Sequence, residues 1–301
     1  MSRPEHTRTN STNLGVGSQG RPLQGRVAIV TGASRGIGAA IARNLASKGA
    51  NLLLNYTSDS STKVTEELAA ELQSAYGVQT VIVQASMGSE NGPAHIVEVT
   101  KNHFTHPKTG KFQLDIIINN AGVAGNNLIE NVDVEDFARQ YNINVRGPLL
   151  LIKAALPYLP HDRSGRIVNL SSVSSSLGYK SQSIYGGTKA ALEAMTRTWS
   201  RELAERATVN AINPGPVLTD MYINTDDAFV VQNKPYIQNT PLAAPRKGID
   251  PDEHYEQFVD AGGRPAYGDE VGGVVGMLCL PEAGWTTGSV ICANGGMRFS
   301  F

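Results

Sequence analysis

Short apolar runs alternate with longer amphipathic segments from residue 26 to the end of the chain. Runs such as RVAIVTG, LDIIINN and GRIVNLSS are bounded by glycine, asparagine or serine and are too short for helices. We predict strands at 26–32, 51–56, 78–85, 114–120, 165–172, 207–215 and 288–296. Amphipathic helices are predicted between most of them, at 36–48, 62–76, 133–158 and 185–205.

The predicted strands are apolar along their whole length rather than at alternate positions. Strands of this kind are covered by helices on both faces, and their alternation with helices favours parallel pairing through right-handed crossovers. The pattern predicts an α/β protein with a single Rossmann-type, doubly wound parallel sheet of about seven strands. We expect one catalytic domain over residues 25–301, since no linker-like tract divides the alternating region.

Two segments fall outside the alternation. Residues 1–24 are rich in Ser, Thr and Asn and are predicted to be a disordered leader. A weak transit peptide is the alternative, favoured by Arg3 and Arg8 but not by Glu5. The segment at about 216–265 is long, polar and proline-rich, which is typical of a substrate lid.

Composition excludes several function classes. Lys plus Arg number 26 against 27 Asp plus Glu, so no net basic field favours nucleic acid or an anionic membrane. No apolar run is long enough to span a membrane, and the two cysteines lack CxxC spacing. His103 and His106 form only an HxxH pair, so no metal site is predicted. We expect a cytoplasmic protein.

A glycine motif follows the first predicted strand and precedes the first predicted helix. The sequence TGASRGIG covers residues 31–38. Glycines in this position permit a tight turn and a close approach to a pyrophosphate, which the helix N-terminus then attracts. Gly32, Gly36, Ile37 and Gly38 are the predicted phosphate cradle.

The spacing TGxxxGxG resembles that of the short-chain dehydrogenase/reductase family. Further motifs occur in that family's order: NNAG at 119–122, Asn144 within NINVRG, Ser172 after the fifth strand, and NPGPVLT at 213–219. Tyr185 and Lys189 form YxxxK, thirteen residues beyond Ser172. The resemblance covers residues 26 to about 298, and the arrangement looks like the fungal branch of the family that includes polyhydroxynaphthalene and versicolorin reductases and ketoacyl reductase-like members.

The resemblance implies a catalytic set of Asn144, Ser172, Tyr185 and Lys189. Tyr185 would exchange a proton with a carbonyl or alcohol, and Lys189 would lower its pKa and hold the nicotinamide ribose. Ser172 would bind the substrate oxygen, although Ser171 competes for this role and only the offset to Tyr185 selects between them. Asn144 would kink its helix and support a water relay toward Lys189.

The cofactor predicted from the second strand is NADP(H). That strand ends in NYTS, without the carboxylate that would bind a 2′-hydroxyl, and Arg35 in the glycine loop can reach a 2′-phosphate. Ser86 replaces the aspartate that commonly contacts adenine in the family, and Met87 either packs on the base or is buried. The predicted cofactor-binding residues are Gly32, Ser34, Arg35, Gly36, Ile37, Gly38, Asn55, Tyr56, Thr57, Ser86, Met87, Asn120, Ala121, Gly122, Tyr185, Lys189, Pro214, Gly215, Val217 and Thr219.

The lid contains many apolar and aromatic residues, including Met221, Phe229 and Tyr236. Their number favours an apolar or aromatic ketone, reduced in secondary metabolism. Two alternatives remain open: a non-redox or bifunctional biosynthetic enzyme, such as an epimerase or cyclase, and a dinucleotide sensor. The resemblance also implies a homotetramer or homodimer, built on the helices that carry Asn144 and Tyr185.

Overall fold

Seven parallel strands form one sheet in the order β3-β2-β1-β4-β5-β6-β7. The computed structural model describes residues 21–224 and 227–299. The strands are β1 Val27–Val30, β2 Asn51–Tyr56, β3 Thr80–Gln84, β4 Ile116–Asn119, β5 Gly165–Leu170, β6 Ala207–Ile212 and β7 Val290–Ile291. The predicted Rossmann-type α/β fold is confirmed. Sheet order reverses between β1 and β4, where such folds bind ligands at the carboxyl ends of the strands.

Helices cover both faces of this sheet. Those described are α1 Gly36–Ser47, α2 Thr62–Tyr76, α3 Gly92–Phe104, α4 Val134–Tyr141, α5 Gly147–Ala155, α6 Ser174–Leu177, α7 Ser183–Glu202, α8 Asp220–Ile223, α9 Asp227–Gln238, α10 Asp252–Ala261 and α11 Gly268–Leu278. One core lies between the sheet and α1, α2 and α11. The other lies between the sheet and α3, α5 and α7. Burial on both faces explains the continuous apolar strands: Ile116, Ile117 and Ile118 are at most 1% exposed.

The single helix predicted at 133–158 is instead divided by a π-helical turn, Asn142–Arg146. Its buried Asn144 side chain binds the backbone of Val123 rather than pointing to solvent. Gly147 then begins α5, and Pro148 in its first turn has no N–H to continue the preceding turn. The helices α3 and α11 were not predicted.

Residues 21–24, which the sequence assigned to the leader, form a turn packed on the domain. Leu23 is 3% exposed and belongs to the core beneath α1. Its backbone N–H donates to the Lys48 carbonyl at 2.9 Å. The leader boundary at residue 24 is therefore corrected, because an apolar side chain in the sequence RPLQ supplies the anchor. The prediction for residues 1–20 lies outside the described part of the chain.

The predicted lid contains three helices, α8, α9 and α10. It leaves and rejoins the domain at one place, since Val217 and Ala266 pair as a parallel bridge. A long excursion with adjacent ends can move as a unit while the sheet stays fixed. Over the described residues, no helix is both long and apolar enough to cross a membrane.

Candidate active site

The loop between β1 and α1 requires glycine at several positions, because a side chain there would be strained or would clash. Gly32 and Gly36 have positive φ angles of 61° and 56°, which other residues rarely adopt. A Cβ at Gly38 would lie 2.1 Å from the Gly32 carbonyl oxygen. Ser34 and Ile37, in the same loop, are half-buried. The backbone can thus approach a phosphate at the positive end of α1.

Asn120 fastens this loop to the end of β4. Its Nδ2 donates to the carbonyl oxygens of Thr31 at 2.8 Å and Gly32 at 3.0 Å. Thr31 Oγ1 in turn accepts from the backbone N–H groups of Asn120 and Ala121, at 3.0 and 3.1 Å. The NNAG motif therefore holds the glycine loop in place, which leaves Asn120 a supporting role beside any cofactor contact.

The side chains of Asn55 and Tyr56 are buried at the end of β2. Asn55 is 0% exposed. Its Nδ2 donates to the carbonyls of Tyr56, Val83 and Ala85, and its Oδ1 accepts from the Gly32 N–H. Tyr56 is 6% exposed. An asparagine inside a buried strand must satisfy its amide internally, so both side chains have a packing role here, and a cofactor contact at either residue stays a prediction.

Arg35 projects from the glycine loop toward the end of β2 and the lid. Its guanidinium donates to Ser61 Oγ at 3.1 Å and to Asp220 Oδ2, in α8, at 2.9 Å. Thr57 and Ser58 are exposed at the end of β2, and Ser58 Oγ lies 2.9 Å from Ser61 Oγ. The result is an exposed arginine bound to one buried serine hydroxyl near the exposed hydroxyls that end β2, an arrangement that suits a phosphate group.

Met87 is 2% exposed and lies in the core against α5, which fits the second of its two predicted roles, that of a buried methionine. A Cβ at Gly147 would lie 2.5 Å from the Met87 carbonyl oxygen, and this close helix packing covers the position. Ser86, just before it, is half-buried and accepts from the Gly88 N–H at 3.2 Å. Ser86 therefore stays a candidate contact.

The predicted contacts after β6 are divided between buried and accessible groups. Pro214 is buried, and Val217 is 5% exposed in the core, so its side chain cannot reach a ligand. Gly215 and Thr219 are half-buried. Thr219 caps α8 and approaches the glycine loop, since a Cβ at Gly36 would lie 3.1 Å from its Cγ2. Ala121 and Gly122, after β4, are likewise half-buried.

Ser172 and Tyr185 meet at the carboxyl end of β5. Tyr185 lies in the first turn of α7, and a hydrogen bond with Ser172 lowers the pKa of its phenol, opposing burial. Ser172 Oγ also donates to Ser174 Oγ at 3.1 Å. Ser171 faces away, with its Oγ 2.6 Å from Glu193 Oε1. Ser172, not Ser171, is therefore beside the phenol.

Lys189 lies one turn beyond Tyr185 and is 4% exposed. Its Nζ donates to the Leu170 carbonyl at 2.7 Å and lies 5.6 Å from the Tyr185 ring centroid. A Cβ at Gly122 would lie 3.4 Å from both Lys189 Nζ and Asn144 Oδ1. The structure thus brings lysine and asparagine to the same glycine at the end of β4.

Asn144, in the π-helical turn, is 1% exposed. Its Nδ2 donates to the Val123 carbonyl at 2.8 Å and to Thr188 Oγ1 at 3.1 Å, and its Oδ1 accepts from the Val123 N–H at 2.9 Å. Thr188 Oγ1 donates on to the Tyr185 carbonyl at 2.7 Å. Asn144 therefore joins the loop after β4 to the helix that carries the tyrosine.

The pKa values in the site differ from the expected pattern. Burial raises the pKa of Tyr185 to about 12, and the Ser172 hydrogen bond only partly opposes this shift. Burial lowers the pKa of Lys189 to about 8. Burial dominates both shifts, because each group loses hydration and is pushed toward its neutral form, and a lowering of the Tyr185 pKa by a charged Lys189 stays a prediction.

Aromatic residues connect the lid to the loop before α7. The Tyr179 ring makes edge contacts with Phe229 at 5.9 Å and Tyr236 at 5.2 Å between centroids, both in α9. Its hydroxyl donates to Met297 Sδ at 3.2 Å. The C-terminal segment around Met297 thus contributes to the same wall as the lid.

Three residues important to the site were missed from the sequence. They are Thr31, Asp220 and Thr188. Thr31 could have been found as a polar residue ending a buried strand, and Thr188 as a threonine at i+3 from Tyr185. Asp220 gave no signal, because its contact with Arg35 depends on how the lid folds back.

Metal-binding groups are scarce in the described ranges. No cluster of three or more His, Cys, Asp or Glu side chains there could hold a metal ion. The prediction that no metal takes part stays a prediction.

Comparison with known proteins matches residues 26–228 to the short chain dehydrogenase family. The L-xylo-3-hexulose reductase of Hypocrea jecorina is 51% identical, with 93% of this chain and 99% of that protein covered. The L-xylulose reductase of Aspergillus niger is 50% identical, with 93% and 99% covered. The hydroxynaphthalene reductase-like protein Arp2 of Metarhizium brunneum is 35% identical, with 92% and 96% covered.

Among solved structures, a blue fluorescent protein from a metagenomic library, in complex with NADPH, superposes with a TM-score of 0.77. It is 30% identical, and the match covers 92% of this chain and all of that one. The family match, the relatives that span nearly the whole chain and the shared fold lead to one conclusion: this chain belongs to the short-chain dehydrogenase family of oxidoreductases.

Proposed function

We propose that the protein is an NADP(H)-dependent reductase of a ketone, with Tyr185 as the proton donor. The observation that carries the proposal is the convergence of Ser172, Tyr185 and Lys189 at the end of β5, facing the glycine cradle across the switch point of the sheet. Hydride and proton must reach adjacent atoms of one carbonyl, and this arrangement supplies the proton at that place.

The glycine loop fits a dinucleotide. Gly32 and Gly36 adopt positive φ angles in the turn, a Cβ at Gly38 would clash with the Gly32 carbonyl oxygen, and the N-terminus of α1 attracts phosphate. Arg35, Thr57 and Ser58 would hold a 2′-phosphate, and Lys189 would hold the nicotinamide ribose. NADPH supplies a hydride equivalent when bound.

The chain's own residues then handle the carbonyl oxygen. Ser172 donates a hydrogen bond that polarises the carbonyl, and the Tyr185 phenol transfers its proton to the oxygen as the alcohol forms. A pKa of about 12 keeps that phenol protonated at neutral pH, which suits the reductive direction. The charged Lys189 stabilises the phenolate left behind.

This role of Lys189 predicts how kcat depends on pH. With a pKa of about 8, Lys189 is charged below pH 8 and neutral above it. We expect kcat for ketone reduction to be level at lower pH and to fall as pH rises through about 8. A pH profile at saturating NADPH and ketone checks this, and a level rate up to pH 10 would contradict it.

Replacing Arg35 with alanine tests the cofactor preference. Removing a charge-assisted contact to phosphate is expected to lower kcat/KM for NADPH by about 10- to 100-fold, with little change for NADH. Arg163→Ala is the matched control, because that arginine is exposed and pairs with Glu205 far from the loop. Equal losses for NADPH and NADH would count against a phosphate-binding role.

For the substrate we favour a small ketose. The 51% and 50% identical relatives are named for reduction of L-xylo-3-hexulose and L-xylulose. A polar residue that suits hydroxyls also precedes the tyrosine in the chain. Gln182, one turn before Tyr185, donates to Asn126 Oδ1 at 3.0 Å, and its Oε1 is buried without a hydrogen-bond partner among the described atoms.

An apolar or aromatic ketone of secondary metabolism is the second candidate. The rings of Tyr179, Phe229 and Tyr236 favour it, as does the similarity to a hydroxynaphthalene reductase-like protein. NADPH oxidation with L-xylulose and with an aromatic ketone such as tetralone distinguishes the two. We expect the higher kcat/KM with the ketose. A higher kcat/KM with the aromatic ketone would instead favour the second candidate.

We also propose that the protein is a homotetramer or homodimer in the cytoplasm. Apolar side chains are exposed along α4 and α5: Val134 is 74%, Phe137 45% and Leu149 44% exposed. Helix faces of this kind are commonly covered by a second subunit. A monomer mass by light scattering at micromolar concentration would contradict the assembly.

A further inference from the structure

The carboxylate of Glu193 accepts two short hydrogen bonds from the loop that carries Ser172. Ser171 Oγ donates to Glu193 Oε1 at 2.6 Å, and Ser175 Oγ donates to the same oxygen at 2.7 Å. Distances in this range are typical of a hydroxyl bound to a charged carboxylate, which is a stronger contact than one between neutral groups. One half-buried side chain therefore clamps two points of the loop.

Those two points lie on either side of Ser172. Backbone bonds hold the other side of the loop to β6, since the N–H of Ser171 donates to Ile212 and that of Val173 to Pro214. Within the loop Ser172 is held by Ser174, and across to α7 it is hydrogen-bonded to the Tyr185 phenol. Its distance from α7 is consequently set by what joins the loop to that helix.

Helix α7 contacts the loop at several places, among them the Lys189 carbonyl oxygen, which lies 3.4 Å from Ser171 Oγ. Near Tyr185, a Cβ at Gly186 would lie 2.7 Å from the Ser174 carbonyl oxygen, so the backbones are in close contact there. Two turns farther along, Glu193 forms the clamp. Tyr185, Lys189 and Glu193 follow one another at four-residue spacing and so share a helix face.

We propose that Glu193 is a positioning residue that sets the approach of Ser172 to the Tyr185 phenol through Ser171 and Ser175. The inference rests on the proposed function, because it assumes that Ser172 binds the substrate oxygen. It also gives each of the two consecutive serines a role: Ser172 faces the reacting oxygen, and Ser171 binds Glu193.

The kinetic test is a double-mutant cycle between Glu193 and Ser172. Glu193→Ala should lower kcat by about 10- to 100-fold, the cost of a displaced catalytic group. The Kd for NADPH should stay unchanged. In a Ser172→Ala background the same substitution should add little further loss, since there is no serine hydroxyl left to misplace. Glu193→Gln keeps an acceptor oxygen in place and should recover most of the activity.

Glu202→Ala is the matched control, because that glutamate lies at the exposed end of the same helix. Full additivity of the Glu193 and Ser172 effects, or a loss confined to NADPH binding, would overturn the proposal. Additivity would mean that Glu193 contributes only to general stability.

A crystal structure of Glu193→Ala gives a second measurement that needs no substrate. We expect Ser172 Oγ to move away from the Tyr185 phenol, while Ser171 leaves α7. An unmoved Ser172 would overturn the inference even if the wild-type enzyme is active. A wild-type enzyme that reduces no ketone, with Ser172 still displaced in the variant, would instead count against the proposed function alone.

Discussion

Tyr185→Phe is expected to lower kcat for ketone reduction by about 10³-fold, within the usual range for loss of a general acid. Phenylalanine keeps the ring and the packing on α7 but removes the only hydroxyl that we assign to proton transfer. The Kd for NADPH should change little, because we assign the proton transfer to the phenol and the phosphate contacts to other residues. NADPH oxidation at 340 nm and cofactor fluorescence measure the two quantities.

Tyr158→Phe is the control for this substitution. That tyrosine lies far from the site, with Lys101 over its ring, and its loss should leave kcat unchanged. A Tyr185→Phe enzyme that retains most of its wild-type kcat would contradict the assignment of the proton donor.

Gly38→Ala should damage both stability and cofactor binding. The new Cβ would lie 2.1 Å from the Gly32 carbonyl oxygen and 2.6 Å from Asn120 Nδ2, so the backbone of the loop has to move. Overpacking of this kind costs about 1–3 kcal/mol of unfolding free energy, and the displaced N–H groups would no longer face a phosphate. Urea unfolding and NADPH titration measure the two losses.

Gly273→Ala supplies the opposite case in a second helix. Apart from its chain neighbours and the backbone of its own helix, no atom lies within 4 Å of the Cβ position at Gly273, which is in the interior of α11. There alanine should stabilise the protein by about 0.5–1 kcal/mol, because glycine is the poorer helix former. If Gly38→Ala also stabilised the protein, the steric conflict that we infer for the glycine loop would be wrong.

The fold could be predicted because its signals are local. A buried parallel strand needs an apolar run, so all seven strands were expected at nearly their observed positions. The helix α11 was missed because its sequence GDEVGGVVGML is rich in glycine, which disfavours helices. Those glycines instead permit close packing on α1: a Cβ at Gly272 would lie 3.1 Å from Ala40.

The site was predictable where a motif dictates chemistry and not where burial decides a side chain's role. Ser172, Tyr185 and Lys189 lie together as their spacing indicated. Asn55 and Met87 occupy the expected stretches of chain, yet both side chains turn into the core. Whether a side chain at the end of a strand points into the core or toward a ligand depends on tertiary packing, which a single sequence does not show.

The central claim is that a hydride from NADPH reaches a ketone carbon in this protein. The most direct measurement is product mass after incubation with L-xylulose and NADPH that carries deuterium at C4 of the nicotinamide. When the deuterium is on the C4 face that transfers the hydride, the account predicts an alcohol one mass unit heavier. One NADPH should be consumed for each molecule of alcohol formed. A product without deuterium, formed without net NADPH oxidation, would contradict it and favour an epimerase or another non-redox activity.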